Sequence, residues 1–260
     1  KDWVDDEHFA ADSEEMLEKA IKKGYSLRHD AFGMTTYYGS WERRFAKKYR
    51  NICPIIMEGG WIVKSHSYWQ DPRGYRKNSD EDVRRGEFDD SKEAHVNMMD
   101  FRFGDTESWF KDAFDLVRRF LREGGYRLYP SEISLPLEVS EKATPTIKHC
   151  WNNLGWGYCP TNIPQWNQKY KVAFALLDSE TNEVRYTFVD MNTDLSKWIK
   201  GSPTEYVFKP NMSKVEKGTY VWAVGLVDRS NKELIGLDIA AKGDILNSGW
   251  LKLSKVSINK

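Results

Sequence analysis

At Gly124-Gly125 the hydrophobic rhythm of this sequence changes, and its two halves call for different architectures. Before the glycines, segments with apolar residues at helical spacing alternate with short apolar runs. After them, short strand-like runs follow one another, separated by turn residues. Helix–strand alternation implies parallel strands, because a parallel neighbour is reached only through a crossover. Runs of strands punctuated by turns imply antiparallel sheets. The expected fold is therefore α/β over residues 1–125, followed by an antiparallel β-sandwich over residues 126–260.

In the first half, Asp12 or Ser13 opens a helix whose stripe is Met16, Leu17, Ala20 and Ile21, and Gly24 stops it. "YSLRHDAFG" (25–33) reads as a short strand. Trp41, Phe45 and Tyr49, four residues apart, mark a second helix. "CPIIMEGGW" (53–61) reads as a buried strand, and a helix near 79–87 lies within a mostly polar stretch. "KEAHVNMMDFRF" supplies a third strand. One long helix follows, with Trp109, Phe110, Phe114, Val117, Phe120 and Leu121 as its stripe. Three strands make only part of a (β/α)8 barrel, which takes about 250 residues. In the second half the clearest element is a hairpin over Tyr170–Asp190, turning at Asp178-Ser179-Glu180-Thr181-Asn182.

Charge and composition narrow the function. Lys and Arg number 39, as do Asp and Glu, so no basic surface argues for nucleic acid. No apolar run approaches the roughly 18–20 residues of a membrane span, and no signal peptide opens the chain. No P-loop, GxGxxG, GxSxG or paired-Cys zinc spacing is present, so no cofactor is expected. Cys53 reads as a buried small hydrophobe, whereas Cys150 and Cys159 read equally as a disulfide or as free thiols. The 11 Trp, 13 Tyr and 12 Phe build a large core, or surfaces on which sugar rings stack.

The candidate chemistry lies at strand ends, where α/β folds place their sites. The three strand ends offer Arg28, His29, Asp30, Glu58, Trp61, Asn97, Asp100 and Arg102. Glu58 stops an apolar run, Gly59 and Gly60 allow close backbone approach, and Trp61 offers a wall for a sugar ring. A carboxylate there acts as nucleophile or as general acid or base on a glycosidic bond, with a second carboxylate nearby. Asp30 and Asp100 are the candidates for that second group. The plainer alternative is a structural Glu58 paired with Arg28 or Arg102. His29 fits either a hydrogen-bonded structural role or a substrate contact, and Asp100 with Arg102 either a site pair or a surface ion pair. The stretch 65–78 is a site cover or a solvated loop, and the Trp-rich loop 151–166 is a glycan contact or packing. Asn211-Met212-Ser213 matches the N-glycosylation sequon, a pattern common by chance.

"LRHDAFG", "PIIMEGGW", "GYRLYPSEISLP" and "WNNLGWGYCPTNIPQWNQKYKVAFALLD" together resemble a bacterial domain of unknown function found in glycosidase-like proteins. There the end of a (β/α)8 barrel runs into an immunoglobulin-like β-sandwich. Its W-x-N-x-G and L-x-D pattern stands here as Trp151-Asn152-Asn153-Leu154-Gly155 and Leu176-Leu177-Asp178. The resemblance covers roughly residues 25–255. Its barrels look like those of clan-A glycoside hydrolases, which carry the nucleophile at the end of strand 7 and the acid/base at strand 4. The three strands here would then be strands 6, 7 and 8, with Glu58 at the nucleophile position. The resemblance implies a retaining glycosidase, an oligo- or polysaccharide partner and action outside the cytoplasm. It also implies barrel strands 1–5 on the same precursor or on another chain. The alternative it leaves is a non-catalytic carbohydrate-binding or structural domain.

Overall fold

The structure is a computed structural model. It describes residues 7–34, 38–60, 80–101, 108–111, 113–140 and 144–259. The chain forms two compact units that are not contiguous in sequence. The first runs to Tyr126 and takes in Gly155–Gln165, and the second comprises Arg127–Leu154 together with the chain from Trp166 onward.

The first unit follows the expected alternation: α1 (Glu7–Lys22), β1 (Leu27–His29), α2 (Ser40–Tyr49), β2 (Ile55–Glu58), α3 (Asp80–Glu93), β3 (Met98–Asp100), α4 (Ser108–Lys111) and α5 (Phe114–Glu123). The three strands lie in the order β1-β2-β3, and both pairings are parallel. Leu27, Ile55, Met57 and Met99 occupy one face and pack against Ala46, Phe88, Leu116 and Val117 of the helices. The other face carries Arg28, Ile56 and the half-exposed Met98. Three parallel strands do not close on themselves, so the (β/α)8 architecture is reduced to a parallel βαβαβ sheet among the described residues.

The helices differ from expectation in instructive ways. Helix α1 begins before Asp12, and Met16 is exposed. Helix α3 runs six residues past the expected end at 87, to Glu93. The expected long helix is two, because Ala113 leaves helical geometry at φ −133° and ψ 30°. That break resets the helical phase. Leu116 and Val117 become the buried face of α5, and Phe114 and Leu121 turn outward. In α2 the four-residue ladder holds: the Trp41 and Phe45 rings stack at 5.5 Å, and those of Phe45 and Tyr49 lie 4.7 Å apart.

Residues 155–165 complete the first unit. Trp156 donates its indole N–H to the Val96 carbonyl at 2.9 Å, and its ring meets Phe88 and Phe120. Asn97 donates to the Tyr158 carbonyl at 2.7 Å. Gly157 N–H bonds the Gly125 carbonyl at 2.8 Å, and a Cβ on Gly155 would lie 2.1 Å from that same oxygen. Of the two readings of the Trp-rich loop, this segment takes the packing one.

The second unit is built from strands: β4 (Leu128–Ser134), β5 (Glu138–Ser140), β6 (Ile147–Asn153), β7 (Tyr170–Asp178), β8 (Val184–Asp190), β9 (Thr204–Phe208), β10 (Gly218–Asp228), β11 (Leu234–Leu237) and β12 (Leu251–Asn259). One sheet has the order β5-β12-β10-β7-β8 with β11 on β10, and the other has the order β4-β6-β9. Every pairing is antiparallel except β12 with β5. The expected hairpin is β7 and β8. Val172 to Leu177 and Val221 to Val227 are buried runs at the centre of the larger sheet. Side chains of the two sheets meet where Phe174 of β7 stacks on Phe208 of β9 at 6.1 Å. All three cysteines are free, which settles the Cys150 and Cys159 alternatives in favour of thiols.

Candidate functional site

Strand β2 is the middle of the parallel sheet, so its C-terminal residue has neighbours on both sides. Glu58 stands in register with Asp100 of β3. Parallel neighbours lie about 4.8 Å apart at Cα and direct register partners to the same face. The two residues therefore end adjacent strands on the same face, with their Cα atoms one strand spacing apart. Arg28 of β1 reaches the Glu58 carboxylate as an ion pair; the Glu58 side chain is 5% exposed and that of Arg28 57%. The cluster thus has one buried acid, a cation open to solvent, and a second acid beside it.

The two glycines after Glu58 let the chain be gripped. Gly60 N–H donates to Glu87 Oε1 at 2.7 Å, and its carbonyl accepts from Arg84 Nη1 at 3.1 Å. Arg84 Nη1 also donates to Glu87 Oε2 at 2.6 Å, and both side chains are fully buried. The Arg84 guanidinium lies over the Trp109 ring, 5.1 Å from its centre. A Cβ on Gly60 would stand 1.8 Å from Met34 Sδ, and one on Gly59 would stand 3.1 Å from Trp109 Nε1. From the β1 side, Phe32 N–H bonds the Glu58 carbonyl at 3.1 Å. Gly33, at φ +82°, brings the turn so close that a Cβ would meet the Glu87 backbone at 2.8 Å. Glu58 therefore projects from a backbone held by α3 and by the turn after β1.

His29 lies elsewhere. It pairs in register with Met57, which is buried in the core, so its ring shares the helix-covered face and not that of Glu58. Its ring meets Tyr38 edge-on at 5.1 Å and Phe32 at 6.2 Å. Nδ1 donates to the Asp30 carbonyl at 2.5 Å, and burial pushes the imidazole pKa down, which favours the neutral ring. Asp30 is exposed just beyond β1. Trp61, Arg102 and the 65–78 stretch lie outside the described residues. Among the described residues no group of three or more His, Cys, Asp or Glu is arranged to hold a metal ion, and no helix is long and apolar enough to cross a membrane.

No family model matches the chain, and no curated protein matches it. Solved structures give faint likenesses. A CARDB domain from Pyrococcus furiosus, solved with di-metal ions, is 15% identical over 52% of this chain and 94% of that one, at a TM-score of 0.28. A beta-glucosidase from Listeria innocua in complex with glucose is 10% identical over 96% of this chain and 38% of that one, at 0.29. An endo-beta-1,4-mannanase from Thermotoga petrophila is 9% identical over 90% and 47%, at 0.24. The chain thus spans less than half the length of these two glycosidases. At such scores the likenesses fix neither fold nor function.

Three buried polar groups escape a reading based on strand ends. Arg84 and Glu87 sit in a polar stretch where charges read as solvated; their spacing of three on a helix that also carries Val83 and Phe88 was the available signal. The third is in the second unit. His149 Nε2 lies 3.1 Å from Asp190 Oδ2, and Trp151 Nε1 donates to His149 Nδ1 at 2.9 Å. Nδ1 accepts, so in the neutral ring Nε2 carries the proton and donates to Asp190. Stacked on Tyr206 at 5.2 Å and without solvent exposure, this pair is internal bracing for the strands.

Proposed function

We propose that the C-terminal edge of the parallel sheet is a carbohydrate site at which Glu58 acts on a glycosidic bond. The observation that carries this reading is the in-register pair of Glu58 and Asp100 at the ends of adjacent parallel strands. Strand ends of this kind are where α/β folds place catalytic groups. Retaining hydrolysis needs two carboxyl groups about 5–5.5 Å apart, and register partners on adjacent strands start from Cα atoms about 4.8 Å apart, from which two side chains can reach that separation. Glu58, gripped through Gly60 and held by Arg28, attacks the anomeric carbon as a carboxylate. Asp100 is the second carboxyl group, protonating the departing oxygen and then taking a proton from the attacking water. Arg28, half in solvent, holds Glu58 ionised and contacts sugar hydroxyls. Asp30 lies at the rim, and sugar contacts by Trp61 and Arg102, which follow β2 and β3 in the sequence, belong to the same proposal. His29, on the opposite face, takes no part in this chemistry. The abundance of aromatic residues and the family resemblance support carbohydrate over other substrates, and action outside the cytoplasm belongs to the same proposal.

A second reading is favoured by the burial of Glu58 and its ion pair with Arg28: the site binds carbohydrate without cleaving it, and Glu58 is structural. Turnover separates the two. The full chain is assayed for aryl-glycoside and oligosaccharide cleavage and, by calorimetry, for binding. Glu58→Gln should lower turnover roughly a thousandfold or more while sugar binding persists. Unchanged turnover removes Glu58 from catalysis, and binding with no cleavage by the wild-type chain establishes the second reading.

A further inference from the structure

Among the described residues β1 is an outer strand of the parallel sheet. The Leu27 N–H bonds the Pro54 carbonyl at 2.9 Å, so Leu27 and His29 turn their backbone groups toward β2. Backbone groups alternate in direction along a strand, so those of Ser26 and Arg28 point away from the sheet. Among the described residues no backbone group meets them there. An open edge of this kind is a template for another strand. Along it lies a cavity of about 260 Å3, lined by the successive residues from Ser26 to His29. Its walls are Leu17 of α1, Phe32 and Tyr38 from the turn, and Phe45 of α2. The cavity is therefore a trench along the strand edge, apolar on its helix-covered side. Tyr25, two residues before Leu27, is 63% exposed. A large exposed ring next to an apolar trench marks an interaction surface.

We propose that this edge joins two copies of the chain, β1 against β1 in antiparallel register about a two-fold axis through Leu27. Such a contact is isologous, so each interaction occurs twice. Ser26 then stands opposite Arg28 of the second copy, and their outward N–H and C=O groups form the hydrogen-bonded pairs of an antiparallel ladder. Tyr25 stands opposite His29 of the second copy, on the helix-covered face, and its ring enters that copy's trench. Size agrees: an apolar cavity of about 150 Å3 accommodates benzene, so one of about 260 Å3 holds a tyrosine side chain. Charge agrees as well. Asp30 is exposed, and in this register it falls opposite Gly24 of the second copy, beside that copy's exposed Lys23. The chain thus carries in its own register both the ring and the charge that its edge calls for. Arg28 enters through its backbone alone. Its side chain stays on the other face, paired with Glu58, so the inference does not rest on the Glu58 reading.

Sedimentation velocity of the full chain over a range of concentrations tests it. The wild-type chain should be a dimer in exchange with monomer, and the Ser26 and Arg28 amides should slow in hydrogen exchange as the dimer forms. Tyr25→Asp puts a charge into both trenches and should weaken the dimer about a hundredfold or more. Tyr25→Phe keeps the ring and should leave the dimer within about fivefold of wild type. Ser26→Pro removes the outward N–H and should weaken the dimer about tenfold or more. Tyr25 is exposed in the single copy, so Tyr25→Asp should leave the far-ultraviolet circular dichroism unchanged. A chain that stays monomeric at its highest soluble concentration overturns the proposal, whatever other strand the edge accepts. So does a dimer that survives Tyr25→Asp, or one whose Ser26 and Arg28 amides exchange as fast as in the monomer. Should Ser26→Pro not fold, Tyr25→Asp and the amide exchange decide.

Discussion

Gly60 shows what single atoms decide here. Its missing Cβ is space already used by Met34 Sδ, at 1.8 Å, and approached by Glu87 Oε1 at 3.2 Å. Gly60→Ala should cost about 1–3 kcal/mol of stability by urea denaturation. In a Met34→Ala background the added cost should be smaller, and an undiminished cost would show that Met34 is not what the new methyl meets. Glu87→Ala leaves Arg84 as a buried cation without its carboxylate and should cost about 3–5 kcal/mol. Exchanging both charges, as in Arg84→Met with Glu87→Leu, should cost less than Glu87→Ala alone if charge is what matters. At this scale the sequence was legible where a residue broke a pattern. Glu58 closes an apolar run, and two glycines in a row need a reason. Arg84 and Glu87 were not legible, because an ion pair three residues apart on a helix ordinarily lies in solvent, and only the packing of α3 buries this one.

Among elements, the β7–β8 hairpin is tied at its turn by one carboxylate. Asp178 accepts from the backbone N–H of Thr181 and Glu180, both at 3.0 Å, and from Arg185 Nη2 at 3.1 Å. Those donors hold its pKa down, from 3.8 to about 2. A carboxyl whose folded pKa is depressed stabilises the fold above its unfolded value and loses that contribution as pH falls through the folded value. The hairpin's share of stability should therefore be complete above about pH 4 and decline toward pH 2. Urea midpoints between pH 5 and pH 2 check this: Asp178→Asn should flatten part of the decline, and an unaltered profile would assign the acid sensitivity elsewhere. This hairpin was readable because a continuous apolar run, a five-residue polar turn and a second strand-like run are local signals. The split between α4 and α5 was not. Ala113 is a good helix former, and only the packing of Trp109, Leu116 and Val117 into one core makes a break there favourable.

For the whole molecule, the change of rhythm at Gly124-Gly125 separates helices from strands but does not announce that residues 155–165 return to the first unit. Contacts that distant in sequence leave no periodicity to read. Trp156 is the anchor of that return, packed among Phe88 and Phe120 and bonded to Val96. Trp156→Ala should cost about 3–5 kcal/mol, and Trp156→Phe, which keeps most of the ring and loses the hydrogen bond, considerably less. Thermal unfolding with a probe in each unit should show the first unit losing most; an effect confined to the second unit would contradict this assignment. The central claim is that Glu58, one strand from Asp100, is a nucleophile. Its most direct test is intact-protein and peptide mass spectrometry after incubation with activated 2-deoxy-2-fluoro glycosides of several sugars, which trap a glycosyl–carboxylate ester. The account predicts one added sugar, located on Glu58 and absent in Glu58→Gln. A protein that cleaves glycosides yet carries its label on another carboxylate, or keeps it in Glu58→Gln, would contradict it.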